Sequence, residues 1–281
     1  MNIAGVVILY HPDIQLLSEN IKTYVQGVKQ LYIYDNSETK TPGIEEALSK
    51  LHPFIQYHYF NANEGIAKRL NRAVEDAAKN NYDYLLTMDQ DSSFKEGDFE
   101  KYKSQIQSAA YTNVAQFGVN CQPNLTIPKE QPEEALTLIT SGSILNVSLI
   151  ERVGVFNEDL FIDFVDAEFS YRVIQNGHIN LMFSNIILNH ALGKLIEGRS
   201  LANFKKTLRI THSPIRVYYI IRNGLYLLFK AKGLNAIMKK DVLRCIKILK
   251  NDLIYNPELV SVYKNLFSGI FAFLSNKKGK K

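Results

Sequence analysis

The chain has 281 residues, 46% hydrophobic and 22% charged, and 33 basic against 28 acidic side chains give a net charge of +5. This is ordinary globular composition, enough for one large domain or somewhat more, and it excludes wholesale disorder. Two cysteines, Cys121 and Cys245, form neither a disulfide framework nor a metal-spacing motif, which fits a reducing compartment.

Met1 to Tyr10 is apolar but short, with no basic leader and no cleavage site. Ile3–Tyr10 is therefore expected as a first strand rather than a signal peptide. Residues 13–25 follow with Ile14, Leu17, Ile21 and Tyr24 at helical spacing. Gln30–Tyr34, rich in β-branched and aromatic residues, predicts a second strand that ends at Asp35-Asn36-Ser37. Pro42 opens a short helix to Leu51, as an early helical turn allows. A third strand is expected over Ile55–Phe60, a long helix over Glu64–Asn80 and a fourth strand over Tyr84–Met88. A helix near Gly97–Ala109 and a strand near Val114–Val119 come next. Alternating strands and helices imply right-handed crossovers and a mostly parallel sheet flanked by helices, an α/β fold.

After Asn120 the rhythm changes. Cys121–Pro132 holds three prolines and is expected as a loop. Leu136–Thr140 predicts a strand, and Ser141-Gly142-Ser143 a turn into a helix through Ile150. Phe161–Asp166 is a loop rich in aromatic and acidic residues. A helix over Ala167–Asn176 closes at Gly177, and Ile179–Leu188 is a long strand or a strand pair. From Pro214 on, the chain is helical and cationic, so residues 1–212 and 213–281 are expected as two regions. From Arg199 to Lys281 there are 18 Lys and Arg against three acids, a net of +15; the preceding residues carry a net of −10. The front half can hold a cation, and the rear can meet an anionic surface. Its apolar runs are too short or too interrupted by charge to span a bilayer, but they can lie flat on one.

Chemistry concentrates where strands end. Tyr84–Met88 runs into Asp89-Gln90-Asp91-Ser92. Alternate residues of a strand point the same way, so Asp89 and Asp91 can approach one Mg²⁺ or Mn²⁺ ion together. In a parallel sheet the loops after the first four strands lie on one edge. They bring Tyr10, His11 and Pro12; Asp35, Asn36 and Ser37; Asn61, Asn63, Glu64 and Gly65; and the two aspartates. Asp35 can accept hydrogen bonds from a pyrimidine or ribose. Gly65 at a helix start, with Lys68, Arg69 and Asn71 beyond it, suits a diphosphate. Plain structural readings stand beside these: an Asx turn at Asp35, an Asn cap at Asn63, a solvated face for Lys68 and Arg69, and helix core for Tyr218–Ile221. Neither G-x-G-x-x-G nor G-x-x-x-x-G-K-S/T occurs, which argues against a dinucleotide enzyme and a P-loop kinase.

Seven segments in chain order resemble the family 2 inverting glycosyltransferases of GT-A fold, in their rhamnosyltransferase branch: Val7–Tyr10, Tyr34–Ser37, Asn63–Asn71, Thr87–Ser92, Phe161–Glu168, Asn189–Gly193 and Pro214–Asn223. The resemblance spans roughly residues 3–230. It implies a nucleotide-sugar donor, dTDP-L-rhamnose or a UDP-sugar, and a saccharide or polyprenyl-linked acceptor in bacterial cell-surface polysaccharide synthesis. It implies donor contacts from Tyr10, Asp35, Asn63, Gly65, Arg69, Asn71 and Asp89, with Ser141 and Gly142 lining the cleft beside Thr140. Asp91 would bind the metal with Asp89, and His190 would complete the shell. Asp166 stands where the wider family has its catalytic base; Val165 replaces the preceding Glu, which keeps Asp163 as second candidate. A cytoplasmic enzyme held at the inner membrane face by its basic region, without nucleic acid, is the resulting expectation. The rival readings are a sugar-nucleotide pyrophosphorylase, disfavoured by Tyr10-His11-Pro12 after the first strand, and a non-catalytic membrane or nucleic-acid binder.

Overall fold

In the structure, a computed structural model, residues 1–109, 111–123, 126–190, 194–199 and 206–281 are described. The front half alternates as expected: β1 (Ile3–Leu9), α1 (Ile14–Lys22), β2 (Gln30–Asp35), α2 (Ile44–Leu51), β3 (Ile55–Tyr59), α3 (Ile66–Lys79) and β4 (Tyr84–Asp89). Asp13 caps α1 by accepting from the Leu16 N–H at 3.0 Å. There follow β5 (Ser93–Phe94), α4 (Asp98–Ser108), β6 (Val114–Asn120), β7 (Glu133–Glu134), β8 (Ser143–Asn146), α5 (Val147–Val153), α6 (Val165–Gln175) and β9 (Ile179–Asn189).

These strands form one sheet in the order β3-β2-β1-β4-β8-β6-β9-β5, with β7 also paired to β9. The pairs β1/β2, β2/β3, β1/β4 and β6/β9 are parallel; β8 runs antiparallel between β4 and β6. Register decides what meets at the edge. At the end of β1, Leu9 pairs with Asp35 of β2 and Ile8 with Asp89 of β4, while Asp35 pairs with Tyr59 of β3. Thr87 of β4 pairs with Ser143, so the 140–142 loop arrives at the same edge. The core under this edge is aliphatic and aromatic, with Val7, Leu9, Leu17, Ile21, Leu31, Ile33, Leu86 and Met88 all buried.

One expectation fails between residues 136 and 150. Leu136–Thr140 is not a strand; its backbone is taken by side chains, with Leu138 N–H donating to Ser170 Oγ and Thr140 C=O accepting from Thr87 Oγ1. The strand is Ser143–Asn146 and the helix begins only at Val147. The short apolar run Ile144–Leu145 has no period that separates strand from helix. The stretch from Ile179 is one long strand.

Packing divides the chain into two compact units, 1–158 with 166–191, and 159–165 with 192–281. This division is drawn differently from the sequence division at 212/213, which rests on the change to cationic helix. Among its described residues the second unit holds a hairpin not expected from sequence, β10 (Lys194–Arg199) against β11 (Lys206–Thr211), and four helices: α7 (Pro214–Phe229), α8 (Ala236–Lys247), α9 (Leu249–Tyr255) and α10 (Leu259–Leu274). Inside it, buried Asp252 accepts from His212 N–H at 2.6 Å and lies 2.8 Å from His212 Nδ1, fixing α9 to the end of β11. Among the described residues, no helix is long and apolar enough to cross a membrane.

Candidate active site

Three ligand-type side chains meet beyond the edge of β4. Single ligand atoms of Asp89, Asp91 and His190 all lie within 4.8 Å of one another. His190 Nδ1 is 3.5 Å from Asp91 Oδ1 and 4.0 Å from Asp89 Oδ2. His190 arrives because β9 pairs antiparallel with β5, Asn189 opposite Ser93. Ala191–Gly193, the rest of that sequence segment, lie outside the described residues. Burial by itself pushes the Asp91 carboxyl up, but the hydrogen bond and charge of His190, with bonds from the backbone and Ser92, hold it below its ordinary value. Two carboxylates and an imidazole are a donor set that fits Mg²⁺ or Mn²⁺.

Two serines fix this cluster. Ser92 Oγ lies 2.8 Å from His190 Nδ1, and Ser141 Oγ donates to Ser92 Oγ at 2.8 Å while accepting from Asp89 N–H at 3.1 Å. Gly142 donates its N–H to Thr87 C=O at 2.8 Å with φ +75°, which seats the 140–142 turn against β4. The structure thus ties Ser141 to the Asp89 backbone and to Ser92, and Gly142 to the Thr87 backbone.

Gln90, between the aspartates, ties their loop to the first. Tyr10 N–H donates to Gln90 Oε1 at 2.8 Å and Gln90 Nε2 donates to Tyr10 C=O at 3.1 Å. The Tyr10 ring stays exposed. His11 N–H then donates to Ser37 Oγ at 2.8 Å, joining the second loop. Asp35 is fully buried: one oxygen accepts from Ser37 N–H at 2.9 Å, the Asx turn, and the other from Tyr57 O–H at 2.6 Å. Burial, then the bond and charge of Asp35, push the Tyr57 phenol up.

The third loop hangs on Asn36. Its Nδ2 donates to Asn63 Oδ1 at 3.1 Å, and its Oδ1 accepts from Glu64 N–H at 3.1 Å and Arg69 Nε at 3.0 Å. Asn63 Oδ1 also accepts from Gly65 N–H, and Gly65 holds φ 89° at the start of α3. Arg69 is only 3% exposed. Its Nη2 donates to Glu64 Oε2 at 2.7 Å, and its guanidinium lies 3.6 Å from the Phe60 ring centre. Arg69 is therefore built into the loop scaffold. Asn71 is turned away altogether: its Nδ2 donates to Phe156 C=O and Glu158 Oε1, and its Oδ1 accepts from Phe156 N–H. Of these two side chains, expected near the donor, Asn71 spends both polar atoms inside the protein and Arg69 its Nε and Nη2.

Asp166 stands in the first turn of α6, half-buried, with its Oδ1 accepting from Ala167 N–H at 2.8 Å. In the second unit, Asp163 is held by Arg216, whose Nε lies 3.2 Å from Oδ1 and whose Nη2 bonds the same oxygen. Phe161, Asp163 and Phe164 all have positive φ, between 62° and 66°, a costly backbone for non-glycine residues. Asn223 of α7 shares its Nδ2 among the carbonyls of Leu160, Ile162 and Asp163, each at 2.9 Å, and Arg222 grips Leu160 C=O at 2.9 Å. Asn36, Tyr57, Gln90, Ser92 and Asn223 gained no separate role from sequence. All but Tyr57 fall inside the resembling segments, the one signal that could have found them.

The family model described as glycosyl transferase family 2 matches residues 15–154. A dTDP-rhamnosyl transferase, RfbF of Shigella flexneri, is 24% identical over 247 residues, covering 82% of this chain and 80% of that protein. Among solved structures, the mannosyltransferase PcManGT of Pyrobaculum calidifontis, in complex with GDP-Man and Mn²⁺, is 14% identical with a TM-score of 0.60, over 96% of this chain and 75% of that one. S. aureus TarS residues 1–349, in complex with UDP-GlcNAc, is 14% identical with a TM-score of 0.61, over 99% and 82%. The fold is thus shared with these two proteins.

Proposed function

The protein is a family 2 glycosyltransferase, and on that premise we propose that it transfers L-rhamnose from dTDP-L-rhamnose, with inversion, to a saccharide or polyprenyl-linked saccharide acceptor. The observation that carries the reading is the Asp89–Asp91–His190 cluster at the sheet edge. The S. flexneri relative supports the donor; the Mn²⁺ and nucleotide-sugar named with the structural neighbours support a divalent ion and a diphosphate leaving group.

In this reading the pyrimidine nucleoside lies along the Tyr10, Asp35 and Asn63–Gly65 loops, and the diphosphate reaches toward Asp89, Asp91 and His190. An ion held by those three residues would neutralise charge on the departing diphosphate. The acceptor hydroxyl attacks the anomeric carbon from the face opposite the diphosphate. Its oxygen bonds that carbon, the carbon–phosphate oxygen bond breaks, and Asp166 takes the hydroxyl proton. Asp163 is the weaker candidate for base, since Arg216 occupies its carboxylate. Ser92 and Ser141 hold His190 and the Asp89 backbone in place. The basic second unit sets the enzyme against an anionic inner membrane face, where a polyprenyl-linked acceptor is found.

The test is a thermal-shift series with dTDP, UDP and GDP, each with and without Mn²⁺ or Mg²⁺, followed by nucleotide release from dTDP-L-rhamnose. The expected result is stabilisation by dTDP that requires the ion and disappears in Asp91→Asn. A larger ion-dependent shift with UDP moves the donor to a UDP-sugar. If none of the three nucleotides gives an ion-dependent shift, the site assignment is wrong.

A further inference from the structure

The helix α10 is apolar on two opposite faces, and only one of them is covered. Val262, Gly269 and Ala272 are buried. They lie against α7 so tightly that a Cβ on Gly269 would meet the Ile221 side chain and come within 2.7 Å of Tyr218 C=O. On the other side, Val260, Tyr263, Phe267, Phe271 and Leu274 recur every three or four residues, the spacing of one helical stripe. All five are between 44% and 86% exposed. Soluble surfaces rarely present five large apolar side chains in one row. Lys264 sits on the same stripe, and Lys277, Lys278, Lys280 and Lys281 follow directly, all exposed.

We propose that this face of α10 lies in the headgroup layer of an anionic bilayer, with the five apolar side chains inserted and the lysines at the phosphates. The proposal rests on the membrane-edge setting given above for the acceptor, and it names the surface that makes the contact. Length fits lying rather than spanning: 16 residues rise about 24 Å, short of the roughly 30 Å hydrocarbon core. Charge fits too. A lysine within the stripe would be costly to bury in a dry protein interface, whereas at a membrane its stem follows the apolar surface and its ammonium reaches the phosphates. The net +15 of residues 199–281 adds the long-range attraction.

The experiment is sedimentation of the full chain with vesicles of phosphatidylcholine alone and of phosphatidylcholine mixed with phosphatidylglycerol. Wild type should pellet with the anionic vesicles only, and less so in high salt. The double variant Phe267→Asp, Phe271→Asp should bind at least about tenfold more weakly while keeping its melting temperature and its dTDP-dependent shift. Lys277→Gln with Lys280→Gln should weaken binding mainly at low salt. The proposal is overturned if wild type does not pellet, or if the phenylalanine variant pellets as well as wild type. It is also overturned if sedimentation velocity shows a wild-type dimer that this variant dissolves, since the stripe would then meet a second copy. Failure of the transferase reading would appear separately, as loss of the nucleotide shift in both proteins with the vesicle result unchanged.

Discussion

Replacing Arg69 separates a scaffold from a phosphate contact. A basic residue one turn into α3 would suit a diphosphate, yet the side chain is buried and its Nε and Nη2 are bonded inside the protein. Arg69→Ala deletes the Nε bond to Asn36 Oδ1 at 3.0 Å, the Nη2 bonds to Glu64 at 2.7 Å and Ala62 C=O at 3.4 Å, and the stack on Phe60. Hydrogen bonds involving a buried charged group contribute about 1.5–3 kcal/mol, and the stacked cation adds about 0.5–2 kcal/mol. The Glu64 ion pair is discounted to under about 1 kcal/mol because Glu64 is 39% exposed. The expected loss is roughly 3–5 kcal/mol, or about 10 °C in melting temperature. Arg69→Lys keeps the charge but lacks the planar fork, so it should recover less than half of this. The assay is thermal unfolding without ligand, beside dTDP affinity in the presence of Mn²⁺. An Arg69→Ala protein that melts within about 2 °C of wild type, yet binds dTDP at least tenfold more weakly, would refute the scaffold reasoning and restore the phosphate role.

Four further outcomes are expected. Asp166→Asn should keep the ion-dependent dTDP shift and lower turnover by about 10²–10⁴, whereas Asp163→Asn should lower the melting temperature by breaking the pair with Arg216; normal transfer by Asp166→Asn would move the base elsewhere. Gly142→Ala places a Cβ 2.7 Å from Val119 and 3.0 Å from Leu188 at φ +75°, and should cost about 2–4 kcal/mol in denaturant unfolding; a loss under about 0.5 kcal/mol would contradict the packing. Glu64 is held below its ordinary 4.5 by its hydrogen bond to Lys68, with Arg69 adding to this and burial opposing it. A lowered folded value gives stability that is present above 4.5 and lost as pH falls through the folded pKa, so Glu64→Gln should flatten the decline of melting temperature between about pH 5 and 3. Glu64 is well exposed, so the difference is a few tenths of a kcal/mol.

The front-half fold was legible because each strand is a short β-branched or aromatic run, each helix is amphipathic, and loops fall where polar residues cluster. The failure at Leu136–Ile150 has a local cause: side chains of Thr87 and Ser170 take the backbone of 138–140, and the short apolar run that follows can enter either structure. The β10–β11 hairpin was missed because Lys194–Thr211 has neither clean alternation nor a tight-turn pair. Sequence nominated Arg69 and Asn71 by charge and position, and could not know that Glu64, Phe60 and Phe156 would absorb them.

The residue types able to do the chemistry are written along the chain: a carboxylate pair after an apolar run, a histidine after a late strand, and an acidic loop ahead of a helix. These are local facts, set by strand periodicity and by where polar residues interrupt it. The tertiary structure decided which of them meet. His190 reaches Asp91 only because Asn189 pairs with Ser93, 96 positions earlier in the chain, and Asp35 and Asp89 flank β1 only because both strands pair with it in parallel register. It also decided which polar atoms were already used, because a buried donor or acceptor must find a partner wherever the fold supplies one.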